Sequence, residues 1–241
     1  MFSFTSTVRF SECDETSTLA LVPLINYLQD CSAFHTESLG VGIAFQRERG
    51  YAWAITSWRI EIHALPKLCD PLRVETYCYE MKRTHAMRSY ALRAEDGTIL
   101  VAADAQYVVF DRESGKLMRI PESEQIYLEE RPRLEMGPLE KKILLPGDYT
   151  VCEPIAVGKQ HLDYNDHVNN AQYVLMALDA ASTLAEIGVP AALDVQYRKM
   201  AFQGDTVIPH VRIDGPLACV DLAAEDGSSY AIVRLTCAEG V

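Results

Sequence analysis

The chain has 241 residues, 49% hydrophobic and 23% charged, enough for one large domain or two ordinary ones with a packed core. Its formal net charge of −12 argues against nucleic acid as a partner, and no uninterrupted apolar run reaches the roughly eighteen residues of a membrane span. Seven cysteines, odd in number, scattered and without a CxxC, favour reduced thiols in a cytoplasmic protein over a disulfide framework or a zinc site.

Met1-Phe2-Ser3-Phe4 lacks the basic and apolar regions of a secretory signal. Residues 4–10 alternate as a strand does, and a polar turn follows over Asp14–Thr18. Leu19–Leu39 reads as a helix that is apolar on more than one face and therefore buried, with Pro23 tolerated in its first turn and Gly40 closing it. Strands are expected at Ala52–His63, Leu72–Met81, His85–Ala94 and Ile99–Phe110, with Asp96-Gly97 and Ser114-Gly115 as turn signals. Pro121–Pro146 is rich in proline and charge, has no clear period, and reads as a crossing linker. A strand at Tyr149–Lys159 then leads into a second polar turn and an apolar helix, Ala171–Ile187, stopped by Gly188 and Pro190. Four more strands are expected at Ala192–Ala201, Thr206–Asp214, Leu217–Ala223 and Tyr230–Cys237, with a hairpin turn at Asp226-Gly227.

The second polar turn concentrates chemistry: His161, Asp163, Asn165, Asp166, His167, Asn169 and Asn170 fall within eleven residues, directly before the apolar helix. Asn and Asp favour turns and N-caps because their side chains bond nearby backbone N–H groups. A helix N-terminus adds unpaired donors and a partial positive charge, so titratable groups and oxyanion donors would meet at one point. The two polar turns also align. Cys13–Leu19 lies over Leu162–Val168 at a constant offset, 163 − 14 = 149, with Thr16 and Thr18 where the second copy has Asn165 and His167. One strand–turn–helix–sheet unit therefore occurs twice.

A buried helix wrapped by an antiparallel sheet, twice in one chain, resembles the double hot-dog fold. Asp163-x-Asn165-x-His167-Val168-Asn169-Asn170-x-x-Tyr173, followed by Val195-x-Tyr197-Arg198-Lys199, resembles the acyl-ACP thioesterase family. Phe10-Ser11-Glu12-Cys13-Asp14, Leu28-Gln29-Asp30, Leu39-Gly40 and Trp58 look like the same family, so the resemblance covers essentially the whole chain. It implies an α+β fold of two tandem hot-dog units. Residues 1–120 would form the first, on the acyl-chain side and without a catalytic turn; 121–146 a linker; and 147–241 the second, with the catalytic turn. It also implies hydrolysis of fatty acyl thioesters on acyl carrier protein in fatty acid biosynthesis, without a metal or organic cofactor. An acyl-CoA thioesterase of the same fold and a non-catalytic acyl-binding protein are the alternatives, and the sequence leaves a homodimer open. One departure stands out. The family commonly has an acidic residue after the Tyr-Arg-Lys stretch, followed in plant members by a cysteine; here Met200 and Ala201 occupy those places.

The expected catalytic residues are Asp163, Asn165 and His167. An imidazole titrates near neutrality and can take a proton from water. Asp163 could orient it or act as base itself, and Asn165 would hold the thioester carbonyl or the attacking water. The corresponding bland roles are a core histidine, a capping carboxylate and a turn amide. Val168, Asn169, Tyr197, Arg198 and Lys199 are the expected substrate-binding residues, although Arg198 and Lys199 could equally face solvent. His161, Asp163 and His167 do not follow a standard zinc spacing. No Gly-x-Ser-x-Gly supports a serine nucleophile and no Gly-rich loop supports phosphate binding. Trp53, Trp58 and the apolar face of the first helix would form core or line an acyl tunnel.

Overall fold

A computed structural model describes residues 1–140, 142–145 and 147–237, folded into two compact units, Met1–Pro138 and a second beginning at Leu139. The first unit runs β1 (Phe2–Thr7), α1 (Leu21–Ser38), α2 (Ile43–Glu48), β2 (Tyr51–Ile62), β3 (Pro71–Met81), β4 (His85–Arg93), β5 (Ile99–Asp111) and β6 (Leu117–Met118). Its strands pair antiparallel in the order β1-β3-β4-β5-β2, with β6 added to β5. The second unit runs β7 (Thr150–Val151), β8 (Ile155–Ala156), α3 (Asn170–Ser182), β9 (Pro190–Tyr197), β10 (Thr206–Asp214), β11 (Leu217–Ala223) and β12 (Ser229–Cys237). Its order is β9-β12-β11-β10-β7, again antiparallel, and β8 also pairs with β10.

Each unit wraps its sheet against one long helix, as a hot-dog fold does. In α1 the buried residues Leu24, Ile25, Leu28, Cys31, Ser32 and His35 recur at helical spacing, and the helix packs on β3 and β1. This corrects the expectation of a helix buried all round: one face is sealed, while Phe34 stands exposed. Leu24, Ile25, Leu28, Trp58, Ile60, Val74 and Leu92 are fully or almost fully buried in the chain. In α3 the small residues Ala171, Ala177 and Ala181 share the buried face with Tyr173, Val174 and Met176 against β10, β11 and β12.

The core of the first unit is not uniformly apolar. Arg88 on β4 is 5% exposed and donates from Nη2 to His35 Nδ1 at 2.7 Å. Arginine has no lone pair to offer, so His35 must accept through Nδ1 and is the neutral tautomer with its proton on Nε2. Burial first, and Arg88 second, push the His35 imidazole down to about 4. Ser32, Tyr107 and Tyr90 continue this polar layer through hydroxyl contacts of 3.0 and 2.5 Å. Beyond it lies a smaller apolar cluster of Val41, Cys78, Ala86 and Tyr127.

Several elements differ from the sequence reading. The short helix α2 was not anticipated, and the first strand ends at Thr7 before a 3-10 turn over Phe10–Glu12. The strand expected at Tyr149–Lys159 is two short pieces, because Pro154 interrupts the ladder between them. Helix α3 stops at Ser182, five residues early; the Thr183 hydroxyl takes the Ala180 carbonyl and closes the last turn. Strand β9 ends at Tyr197, so Ala201 lies in the loop beyond it. In the proline-rich stretch, Glu122–Tyr127 forms a 3-10 helix whose buried Glu124 accepts from Tyr51 and Trp53. Arg133 then pairs with buried Asp104 at 2.8 Å, and Ile143 donates its N–H to Gln196 in the second unit. Lys141 and Pro146 of that stretch, and residues 238–241 at the end of the second expected unit, lie outside the described residues.

Candidate active site

The second polar turn is built by short-range hydrogen bonds that its sequence dictates. Leu162 and Val168 form an antiparallel bridge, and Asp163 N–H donates to the His167 carbonyl at 2.9 Å. Asp166 adopts φ +62°, a left-handed conformation that Asp tolerates better than most residues, and its N–H closes the turn on the Asp163 carbonyl. Asp163 Oδ1 accepts from the Asn165 N–H at 2.8 Å, a local turn favoured by this residue type. Asn169 is the N-cap of α3; its side chain accepts from Ala171 N–H at 2.8 Å.

The first unit repeats the hydrogen bonds of the turn itself, but not the side-chain cap, since Ala20 stands at the place of Asn169. Cys13 bridges Leu19, Asp14 N–H donates to the Thr18 carbonyl, Ser17 has φ +63°, and Asp14 Oδ1 accepts from Thr16 N–H. Helices α1 and α3 start 170 − 21 = 149 residues apart, the offset seen in the sequence. The side chains on the two scaffolds differ. Asp14 is also tied to the Thr16 hydroxyl and Thr18 N–H, which hold its carboxylate below the usual range. Asp163 keeps Oδ2 directed at His167.

His167 is 22% exposed, and its Nδ1 lies 3.3 Å from the Val168 carbonyl and 3.7 Å from Asp163 Oδ2. A carbonyl can only accept, so this geometry puts the proton on Nδ1 and the free lone pair on Nε2. The distance to Asp163 is an electrostatic contact, too long for a hydrogen bond. His167 Nε2 and the Asn165 carboxamide have no hydrogen-bond partner among the described residues. One turn therefore presents a lone pair suited to take a proton and an amide suited to hold an oxygen.

The other expected site residues are mostly occupied. Val168 donates its N–H to the Ala201 carbonyl at 2.9 Å, Asn169 is spent on the cap, and the Tyr197 hydroxyl donates to the Asn170 carbonyl at 3.0 Å. Arg198 reaches the Ile143 carbonyl at 3.4 Å, while Lys199, half exposed, faces Asp226 and Ser228 on the β11–β12 hairpin. His161 takes up the Gly158 N–H through Nδ1, a structural cap, and no group of three metal-type ligands occurs among the described residues. Met200 is 37% exposed and Ala201 fully buried, with the Ala201 carbonyl on Val168, so this loop does run beside the turn. Sequence reasoning did not single out the contact that holds it there: Ala201 N–H donates to the Tyr173 hydroxyl at 2.9 Å. The signal was in the repeat, where a proline and a leucine stand at the corresponding places.

Two helix-on-sheet units in tandem, the second with an Asp-x-Asn-x-His turn at the foot of its helix, define a double hot-dog fold. Residues 1–127 match the family model described as the acyl-ACP thioesterase N-terminal domain, and residues 149–229 match the acyl-ACP thioesterase C-terminal domain. The chain belongs to the acyl-ACP thioesterase family. It is 26% identical over 215 residues to the chloroplastic palmitoyl-acyl carrier protein thioesterase of Gossypium hirsutum, covering 83% of this chain and 52% of that protein. It is 23% identical to oleoyl-acyl carrier protein thioesterase 2 of Arabidopsis thaliana, covering 83% of this chain and 59% of that one. The chain thus spans between half and three-fifths of those relatives. An acyl-ACP thioesterase structure from Bacteroides thetaiotaomicron superposes with a TM-score of 0.85 at 19% identity, covering 97% of this chain and 96% of that one. The 12:0-ACP thioesterase from Umbellularia californica gives 0.82 at 18%, covering 98% and 96%. At these identities the two structures establish the shared fold.

Proposed function

We propose that this protein hydrolyses the thioester between a fatty acyl chain and acyl carrier protein, releasing the free fatty acid in fatty acid biosynthesis. The observation that carries the reading is the pairing, in one turn, of the unengaged His167 Nε2 and the unengaged Asn165 carboxamide, beside Asp163 and within the residues that match the family's C-terminal domain. In this reading His167 takes the proton of the attacking water through Nε2, and Asp163, 3.7 Å from Nδ1, stabilises the imidazolium that forms. Asn165 polarises the carbonyl as negative charge grows on its oxygen. The tetrahedral intermediate then collapses with expulsion of the pantetheine thiolate, which recovers a proton; a thiol leaves readily, so modest base catalysis is enough. Val168, Asn169 and Tyr197 shape the turn through the contacts given above, and Arg198 and Lys199 lie on the loop beside it as candidates for the carrier's phosphopantetheine or its acidic surface. In this reading the first unit, whose turn has Thr16 and Thr18, is the acyl-chain side. The seven unpaired thiols support a reducing compartment such as the cytoplasm.

The test is release of free fatty acid, followed by mass spectrometry, from a panel of acyl chain lengths offered on acyl carrier protein and on coenzyme A. The expected result is hydrolysis on the carrier protein with kcat/KM at least about tenfold above the coenzyme A thioesters, a discrimination within reach of a few surface contacts. Preference for coenzyme A would make the protein an acyl-CoA thioesterase. Binding of acyl chains without release of acid would make it an acyl-binding protein.

A further inference from the structure

Inside the second unit, a short relay connects the hydrophobic core to the imidazole. Tyr173, on the first turns of α3, is 3% exposed, and its hydroxyl accepts the N–H of fully buried Ala201 at 2.9 Å. The Ala201 carbonyl accepts from Val168 N–H at 2.9 Å, and the Val168 carbonyl lies 3.3 Å from His167 Nδ1. A buried backbone N–H needs an acceptor, so the phenol fixes where the Ala201 peptide sits. That peptide in turn fixes the carbonyl that selects the His167 tautomer.

The internal repeat shows that this arrangement is not required for folding. Leu19 N–H donates to the Pro66 carbonyl as Val168 N–H does to Ala201, at 2.9 Å in both units. The equivalence is fixed independently: Val8 pairs with Asp70 as Val157 pairs with Asp205, giving 205 − 70 = 135 and 201 − 66 = 135. Proline has no N–H to satisfy. At the place of Tyr173 the first unit has Leu24, since 173 − 149 = 24, and leucine has no hydroxyl. Donor and acceptor are absent together in the unit whose turn has Thr18, and present together in the unit whose turn has His167. Tyr197, whose hydroxyl donates to the Asn170 carbonyl, is likewise matched in the first unit by a residue without a hydroxyl, Ile62.

We propose that Tyr173 is a positioning residue for His167, acting through the Ala201 peptide and the Val168 carbonyl. The inference deepens the catalytic reading of the turn and rests on it for its effect on rate. Tyr173→Phe leaves the Ala201 N–H without its acceptor and lets the loop shift. Tyr173→Phe with Ala201→Pro removes donor and acceptor together and copies the solution of the first unit. Misplacement of a base by a fraction of an ångström is expected to lower kcat about tenfold in Tyr173→Phe, with KM within about twofold, and the double variant should return close to wild type. In the full chain labelled with nitrogen-15, the His167 ring resonances should report one tautomer in wild type, a mixture in Tyr173→Phe and one again in the double variant. Wild-type kcat and ring spectrum in Tyr173→Phe would overturn the proposal, as would a double variant that regains thermal stability but not the rate. If Tyr173→Phe does not fold, the contrast decides: a double variant that regains the fold, the rate and a single tautomer supports the relay, and one that fails to fold or gives a mixture overturns it. If the wild-type chain hydrolyses no acyl thioester, the catalytic reading falls, while the ring spectra still decide whether Tyr173 sets the state of His167.

Discussion

His167 keeps Nδ1 against the Val168 carbonyl and turns Nε2 away from every described hydrogen-bond partner, and Asn165 leaves its carboxamide equally unengaged two residues earlier. Both are therefore available to a substrate. Removing either should cost a base or an oxyanion donor: Asn165→Ala and His167→Ala are expected to lower kcat by about a hundredfold or more. Thr16→Ala and Thr18→Ala, at the matching places of the first unit, should stay within about twofold of wild type on that same reasoning. Acid release under saturating substrate measures all four. Near-wild-type turnover in His167→Ala would mean that the turn is not the reacting centre. Met200, where the family commonly has a carboxylate, is more than a third exposed and brings no charge to the loop beside the turn.

At the scale of the element, α1 and the strands beneath it enclose a titratable pair whose cost depends on pH. Burial first and Arg88 second hold the His35 imidazole down at about 4 against an ordinary 6.5, with Glu129 opposing them and the Met1 amino group adding to them. A lowered folded-state pKa means that the unfolded chain binds the proton more readily between those values. The stabilisation is thus complete above about pH 6.5 and is lost as pH falls toward 4. His35→Gln keeps an acceptor for Arg88 but cannot titrate. Between pH 7 and 5 the wild type should lose about 2 kcal/mol more unfolding free energy than this variant, measured by urea denaturation at both pH values. Parallel losses would show that His35 is not the titrating group. The sequence showed this helix through its apolar spacing, but it did not show the pair, because Arg88 and His35 are 53 positions apart and only the packing of α1 on the sheet brings them together.

Over the whole molecule, the proline-rich stretch has a larger role than its sequence suggested. Arg133 reaches the carboxylate of fully buried Asp104, which also receives the Tyr79 hydroxyl at 2.9 Å. Burial nonetheless holds the Asp104 carboxyl above its ordinary range, with Arg133 as the strongest opposing influence. Arg133→Met would leave a buried carboxylate without its cation and should cost about 3 kcal/mol, while Asp104→Asn combined with Arg133→Met should cost clearly less. Equal destabilisation of the single and double variants in thermal or urea unfolding would mean that the pair is not coupled.

The sequence by itself determined the parts that rest on neighbouring residues. Asp163, Asn165 and Asp166 make their own turn, Asn169 caps its own helix, and alternation in the strands sets which face is buried, so the repeat, the two helices and the polar turn before the second were all readable from local pattern. The family resemblance read from those motifs agrees with the matched domains. Tertiary structure alone decided what depends on groups far apart in the chain. It took the Val168 and Tyr197 groups into structural hydrogen bonds, turned Lys199 toward Asp226, and gave the Ala201 N–H to Tyr173. The physical reason is that a buried donor or acceptor must find a partner wherever the fold supplies one, and sequence spacing does not record where that partner will be.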